Sequence, residues 1–385
     1  MHGNSWLLAF GGMTAMAAAM GIGRFVYTPI LPVMAVDHAL SVGATGWIAS
    51  ANFAGYLAGA LLASSGRLSG QPRQWLLAAL AVNAIGLAMM ALSTSLAAFL
   101  VWRFIGGLAS AFMLVFASAL VLERLAAAGR SPLSALHFSG VGIGIAISAL
   151  AVGFTERAGG DSIAQWGISA VLAGAGLAAV YVLVPNASAG SAAPSAGNGA
   201  SFRPNPALSR MIAAYGLFGF GYIITATFLV AIVRADPAMA AVEPTIWLVF
   251  GLVAAPSVLV WTRLSERVGV PAAFALAAAV EAVGVAATVL WPTSSGALLG
   301  AVLLGGTFMG LTALGLMAAR SLTTGNPRSS LGLMTAAFGF GQIVGPVFAG
   351  LVHERTASFT LPSLVAAGTL VLSAALALTV RRAHT

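Results

Sequence analysis

Cysteine and lysine are both absent from this 385-residue chain, and charge is scarce: nine acidic and seventeen basic side chains make up only 7% of it. The lack of cysteine excludes disulfides, thiolate metal sites and thiol nucleophiles. Soluble domains carry about a quarter of their residues as Asp, Glu, Lys and Arg. Against a hydrophobic content of 59% and 46 glycines, the shortage of charge excludes an ordinary water-soluble fold. No nucleophile–base pair or metal-ligand cluster can be assembled from the few ionisable residues, so neither an enzyme nor a bound cofactor or metal is expected. The net charge of +8 does not point to nucleic acid, because the arginines stand singly between apolar runs and form no patch.

What the chain does contain is long apolar runs. About 20 apolar residues in a helix cross a hydrocarbon core of about 30 Å, and twelve such runs are present. They span Ser5 to Met34, Ala44 to Ser65, Gln74 to Leu92, Leu96 to Leu122, Ser134 to Phe154 and Ala164 to Val184 in the first half. The second half holds Leu208 to Val233, Thr245 to Ser265, Ala272 to Trp291, Gly296 to Ala318, Ser330 to Val352 and Leu361 to Val380. The first run is too long for the core of a signal peptide and contains Arg24, so it is expected to be a retained helix. The fold class that follows is an all-α polytopic membrane protein of twelve transmembrane helices.

Arginine placement orients these helices. With the N-terminus cytoplasmic, Arg67, Arg73, Arg124, Arg130, Arg203, Arg210, Arg263, Arg267, Arg320, Arg328, Arg381 and Arg382 fall inside, against Arg157, Arg234 and Arg355 outside. The positive-inside rule then places both termini in the cytoplasm. The Ala-, Ser-, Gly- and Pro-rich stretch from Pro185 to Pro206 has no periodicity and is expected to be a flexible cytoplasmic linker. It separates a six-helix bundle at 1–184 from a second at 208–385, with 185–207 as the connection.

The halves repeat one another. Gly21-Ile22-Gly23-Arg24 aligns with Gly219-Phe220-Gly221-Tyr222 at an offset of 198, Gly106-Gly107 with Gly305-Gly306 at 199, and Gly70-Gln71-Pro72 with Gly269-Val270-Pro271 at 199. Two halves starting from the same side imply a parallel repeat, related by a pseudo-twofold along the membrane normal, with a solute site expected between them.

With these features the chain resembles the major facilitator superfamily over essentially its whole length. In the fourth run, Arg103-Phe104-Ile105-Gly106-Gly107-Leu108-Ala109-Ser110-Ala111 resembles the superfamily's helix-four signature of an arginine followed by small residues. Its loop signature is partly kept in Glu266-Arg267-Val268-Gly269, whereas Gly66-Arg67-Leu68-Ser69-Gly70 lacks the acid; Gly140, Gly142 and Gly144 meet part of the helix-five signature without its proline. More narrowly, Gly21 to Pro29, His137 to Gly142 and Gly341 to Pro346 look like the YbfB/YjiJ-type subgroup of bacterial transporters. The resemblance implies the major facilitator fold, secondary transport of a small solute by alternating access, and a multi-pass location in the bacterial inner membrane, with protons as a possible second partner and a monomer as the expected state.

An ionisable residue within a membrane helix is a functional candidate by default, because charge there is expensive. Arg24 and Arg103 fit two readings: contact with a solute, or snorkelling and pairing with backbone carbonyls. Glu281 is the one carboxylate well inside a run, and the resemblance places its helix among outer supports, so it is either a structural or protonated group or a coupling residue. His137 could titrate near neutrality or serve as an interfacial hydrogen-bonding group. Tyr215, Phe218, Tyr222 and Thr225 share one helical face, and Asn52, Tyr56 and Gln342 are polar groups in apolar runs; all fit either a binding wall or interhelical packing. Tyr27, beside Arg24, joins the candidate contacts. Arg263, Glu266 and Arg267 could latch neighbouring helix ends. The arginine pair without a comparably deep carboxylate favours an organic anion as solute; efflux of hydrophobic drugs is the alternative, and a non-transporting receptor or scaffold is the reading from another class.

Overall fold

The computed structural model describes residues 3–65, 68–185, 205–323 and 327–380. All regular structure among them is helical, and twelve helices are long and apolar enough to cross a membrane: α1 Ser5–Asp37, α2 Val42–Ser64, α3 Pro72–Leu92, α4 Leu96–Ala127, α5 Ser131–Arg157, α6 Ser162–Leu183, α7 Pro206–Ala235, α8 Ala240–Val268, α9 Val270–Leu290, α10 Ser294–Leu322, α11 Ser329–Thr356 and α12 Thr360–Leu378. Most of the linker expected at 185–207, and Arg67, Arg203, Arg381 and Arg382, lie outside the described residues, as does the Arg328 side chain.

The helices begin where short polar side chains can take up the free N–H groups of a first turn. Ser41 accepts from Ala44 N at 3.1 Å, Asp161 from Ala164 N at 2.9 Å and Asn205 from Leu208 N at 2.8 Å. Pro72 and Pro206 occupy first-turn positions that need no N–H donor. Gly269, with φ of 89°, turns the chain between α8 and α9 in a backbone conformation that L side chains rarely adopt.

The chain divides into two compact units, Met1–Ala196 and Gly197–Thr385. Within the first, α2 packs on α4, α3 on α4 and α6, and α1 on α5 and α6; within the second, α8 packs on α10, α9 on α10 and α12, and α7 on α11 and α12. Each pairing in one unit is the other's, displaced by six helices. The glycines that register the sequence repeat lie at these crossings: a Cβ on Gly21 would strike the Gly144 backbone of α5, and one on Gly219 the Phe338 carbonyl of α11. Gly107 abuts the Asn52 backbone of α2 and Gly305 the Phe250 backbone of α8, one residue out of step with the pairing of Gly106-Gly107 to Gly305-Gly306. Close backbone approach at small residues is how helices associate where no hydrophobic effect separates helix from lipid.

The first helix departs from the sequence expectation of one continuous run. It is α-helical over Gly3–Met16, π-helical over Ala17–Ile22, then passes through a turn before resuming at Tyr27–Asp37. Pro29 and Pro32 contribute no N–H, and Gly23 N and Phe25 N reach back five residues, to Ala18 O at 2.9 Å and Met20 O at 3.1 Å.

Candidate functional site

The break in α1 exposes backbone carbonyls in the interior of the N-terminal unit. Thr28 N turns to Phe25 O at 3.3 Å, three residues back. Side chains of neighbouring helices donate into this segment. Arg103 of α4 donates through its two terminal nitrogens to Gly23 O at 3.3 Å and Arg24 O at 3.0 Å. Asn83 of α3 adds a second donor to Ala18 O at 3.4 Å, and the Ser110 hydroxyl of α4 lies 2.8 Å from Gly106 O of its own helix and 3.1 Å from Ala19 O. A kinked membrane helix is tolerable when its freed backbone groups find such partners. Of the two roles open to Arg103, this geometry displays backbone pairing.

Arg24 sits on the broken segment, 3% exposed. Its guanidinium carbon lies 4.2 Å from the Tyr56 ring centroid, 4.8 Å from Phe53 and 5.4 Å from Phe25. Aromatic faces attract a desolvated cation through their quadrupoles. Tyr27 points elsewhere: its hydroxyl donates to Thr45 O at 2.8 Å, its ring lies against Trp166, and Arg103 sits 4.9 Å over it. Asn52 is fully buried and donates to Arg103 O at 2.9 Å, while its Oδ1 has no hydrogen-bond partner. Arg24, Tyr27, Asn52, Tyr56 and Arg103 thus form one cluster within the N-terminal unit.

A second cluster lies within the C-terminal unit. Gln342 of α11 donates to the Tyr222 hydroxyl of α7. The Tyr222 ring is stacked on Phe308 at 5.9 Å and on Phe338 at 5.8 Å, nearly parallel to both. Tyr215 stacks on Phe338 at 4.8 Å and donates to Thr312 O at 3.2 Å. Thr225 is fully buried, and its hydroxyl has no hydrogen-bond partner. The helical face of Tyr215, Phe218 and Tyr222 is therefore turned into an aromatic stack with α10 and α11.

The remaining candidates are dispersed. His137 is fully buried at the crossing of α5 with α1, its ring against Gly12 and Phe138. Arg263, Glu266 and Arg267 are exposed near the end of α8, and no hydrogen bond or ion pair ties them to another described residue. Glu281 is fully buried on α9, and neither of its carboxyl oxygens has a hydrogen-bond partner.

Sequence reasoning overlooked Asn83, Ser110, Phe53, Phe308 and Phe338. Asn83 carried a usable signal, since it is the one polar side chain in the interior of the third apolar run. The phenylalanines carried none, because apolar residues fill every helix.

A family model described as "Uncharacterised MFS-type transporter YbfB" matches residues 16–378. No curated protein matches the chain in sequence. Among solved structures, a mutant of the nucleoside transporter NupG superposes with a TM-score of 0.75 at 17% identity, covering 97% of this chain and 100% of that one. A second structure of NupG gives a TM-score of 0.72 at 17% identity, covering 99% of this chain and 100% of the other. At that identity the likeness shows the fold alone.

Proposed function

The chain belongs to the major facilitator superfamily, in the family of the uncharacterised MFS-type transporter YbfB, and is a secondary transporter and multi-pass membrane protein rather than an enzyme; on that premise we propose that it moves a small organic anion across the bacterial inner membrane by alternating access. In this reading 1–184 and 208–385 are the two moving bundles, 185–207 is their cytoplasmic linker, both termini are cytoplasmic, and the monomer is the working unit.

Arg24 carries the proposal. Discontinuous membrane helices are where transporters of this general kind place solute sites, because an interrupted helix presents polar groups at membrane depth. Here the interruption bears a guanidinium boxed by Phe25, Phe53 and Tyr56. The formal positive charges buried in the described part of this unit are Arg24 and Arg103, with no buried carboxylate beside them. A carboxylate, sulfonate or phosphonate suits the forked donors of an arginine, and a flat apolar body would suit the rings. Arg103 supports the site by fixing the backbone on which Arg24 is mounted. Tyr222 and Gln342 supply the polar contacts of the C-terminal unit.

The test is thermal stabilisation of the purified protein by a panel of small carboxylates, sulfonates and phosphonates, each paired with its neutral amide or ester, followed by uptake of the hits into proteoliposomes. Acids should stabilise and be transported where their neutral counterparts are not. Arg24→Gln should weaken the acids about tenfold or more, as expected for a lost charge-assisted hydrogen bond, and Arg24→Lys less. Preferential stabilisation and transport of cations would remove the anion reading.

A further inference from the structure

Between α5 and α6, within the N-terminal unit, runs an open groove of about 650 Å³. Ile147, Leu150 and Phe154 of α5, at i, i+3 and i+7, share the face that lines it. Leu150 is 59% and Phe154 75% exposed, so this wall faces the bilayer. Small residues, Ala151 on α5, Gly160 in the connecting turn and Ala164 on α6, leave the space open. The one polar side chain of the lining is Thr155, and its hydroxyl donates to Ala151 O of its own helix at 2.9 Å. The groove therefore offers no polar group to water.

Its length and its mouth identify an occupant. From Ile147 to Ala158 the chain rises about 16 Å, close to half of a hydrocarbon core about 30 Å thick, which is the reach of one acyl chain in one leaflet. An apolar channel left empty forfeits dispersion contacts along its whole lining, and a hydrocarbon chain restores them. The mouth lies at the turn from α5 to α6, where Glu156, Arg157 and Asp161 are exposed. Arg157 stands in the last turn of α5, and Asp161 caps α6 through Oδ1, 2.9 Å from Ala164 N. A cation flanked by two carboxylates complements a head group that carries a phosphate and an ammonium. A head group with negative charge alone would meet both carboxylates without compensation.

We propose that this groove binds one phospholipid with a zwitterionic head group. One acyl chain lies along Leu150 and Phe154, the phosphate is held by Arg157, and the ammonium lies against Glu156 and Asp161. The inference needs only that the chain spans a membrane and is independent of which solute is moved.

Native mass spectrometry tests it on the full-length protein, stripped of lipid in detergent and then given equal amounts of phosphatidylethanolamine and phosphatidylglycerol with the same acyl chains. The wild type should retain one phosphatidylethanolamine in preference to phosphatidylglycerol. Ala164→Trp, which fills the groove, should abolish that retention, and Ile85→Trp, on the exposed face of α3, should keep it. Arg157→Gln should weaken it about tenfold, as for a lost charge-assisted hydrogen bond. Should Ala164→Trp fail to fold, Ala151→Phe fills the same groove and takes its place. The proposal is overturned if the wild type retains no lipid or prefers phosphatidylglycerol, or if the filled groove retains phosphatidylethanolamine as the wild type does. A lipid-free dimer that the same substitution separates overturns it too, since a second copy of the chain would then be the occupant.

Discussion

Replacing Arg103 separates holding the α1 backbone from holding a solute. Its two terminal nitrogens reach Gly23 O at 3.3 Å and Arg24 O at 3.0 Å, and its ring contact with Tyr27 is 4.9 Å. A hydrogen bond from a charged donor contributes about 1.5–3 kcal/mol, and a buried carbonyl left bare loses a similar amount. The 3.3 Å bond is long for an N–H donor, so the lower end applies to it. Arg103→Lys keeps the charge but loses the fork, and should lower stability by about 1.5–3 kcal/mol. Arg103→Ala loses both contacts and should cost about 3–5 kcal/mol. Arg24→Gln removes a cation stacked on rings and should cost less than Arg103→Ala. Thermal and denaturant unfolding of the purified variants, followed by tryptophan fluorescence, gives the order directly. In the proposed site Arg103 acts on the solute by positioning Arg24, so Arg103→Lys should raise the apparent KM more than it lowers the maximum rate. If Arg103→Ala is as stable as the wild type, or less affected than Arg24→Gln, the backbone role assigned to Arg103 is wrong.

Gly107→Ala should sharply lower stability and yield, since its Cβ would strike Asn52 O, whereas Gly106→Ala meets only atoms 3.8 Å or more away and should be tolerated; equal behaviour in size-exclusion profiles would contradict this packing. Tyr222→Phe leaves the stacked ring but removes the hydroxyl that accepts from Gln342, at a cost of about 0.5–1.5 kcal/mol in unfolding experiments; an unchanged stability would contradict that hydrogen bond. A cysteine at Ser195, introduced into this cysteine-free chain, should react with membrane-impermeant reagents in inverted vesicles and not in intact cells; labelling from outside would reverse the topology.

Composition and hydropathy were sufficient for the class of protein. Twelve apolar runs separated by polar breaks become twelve helices because the bilayer leaves a polar backbone no alternative but to bond within its own segment. Several ends extend further than expected, α4 to Ala127 instead of Leu122 and α1 to Asp37 instead of Met34, since polar residues continue a helix once it leaves the hydrocarbon. The recurrence of Gly21 at Gly219, and of the Gly106-Gly107 pair at Gly305-Gly306, was equally legible, and the matching helix pairings of the two units give it a physical meaning.

The roles of the polar residues were not legible, because a one-dimensional run shows that Arg24 and Arg103 are buried but not what they face. Both readings of Arg103 were open until α1 was seen to break, and the break depends on the π-helical segment and on what α3 and α4 bring to it. Glu281 stood as a lone acid in the ninth run, and that its carboxyl is fully buried without a hydrogen-bond partner is visible only in the folded unit. Hydropathy is a sum over single residues and survives in the sequence, whereas hydrogen-bond satisfaction is a property of pairs far apart in the chain, and only the folded structure brings those pairs together.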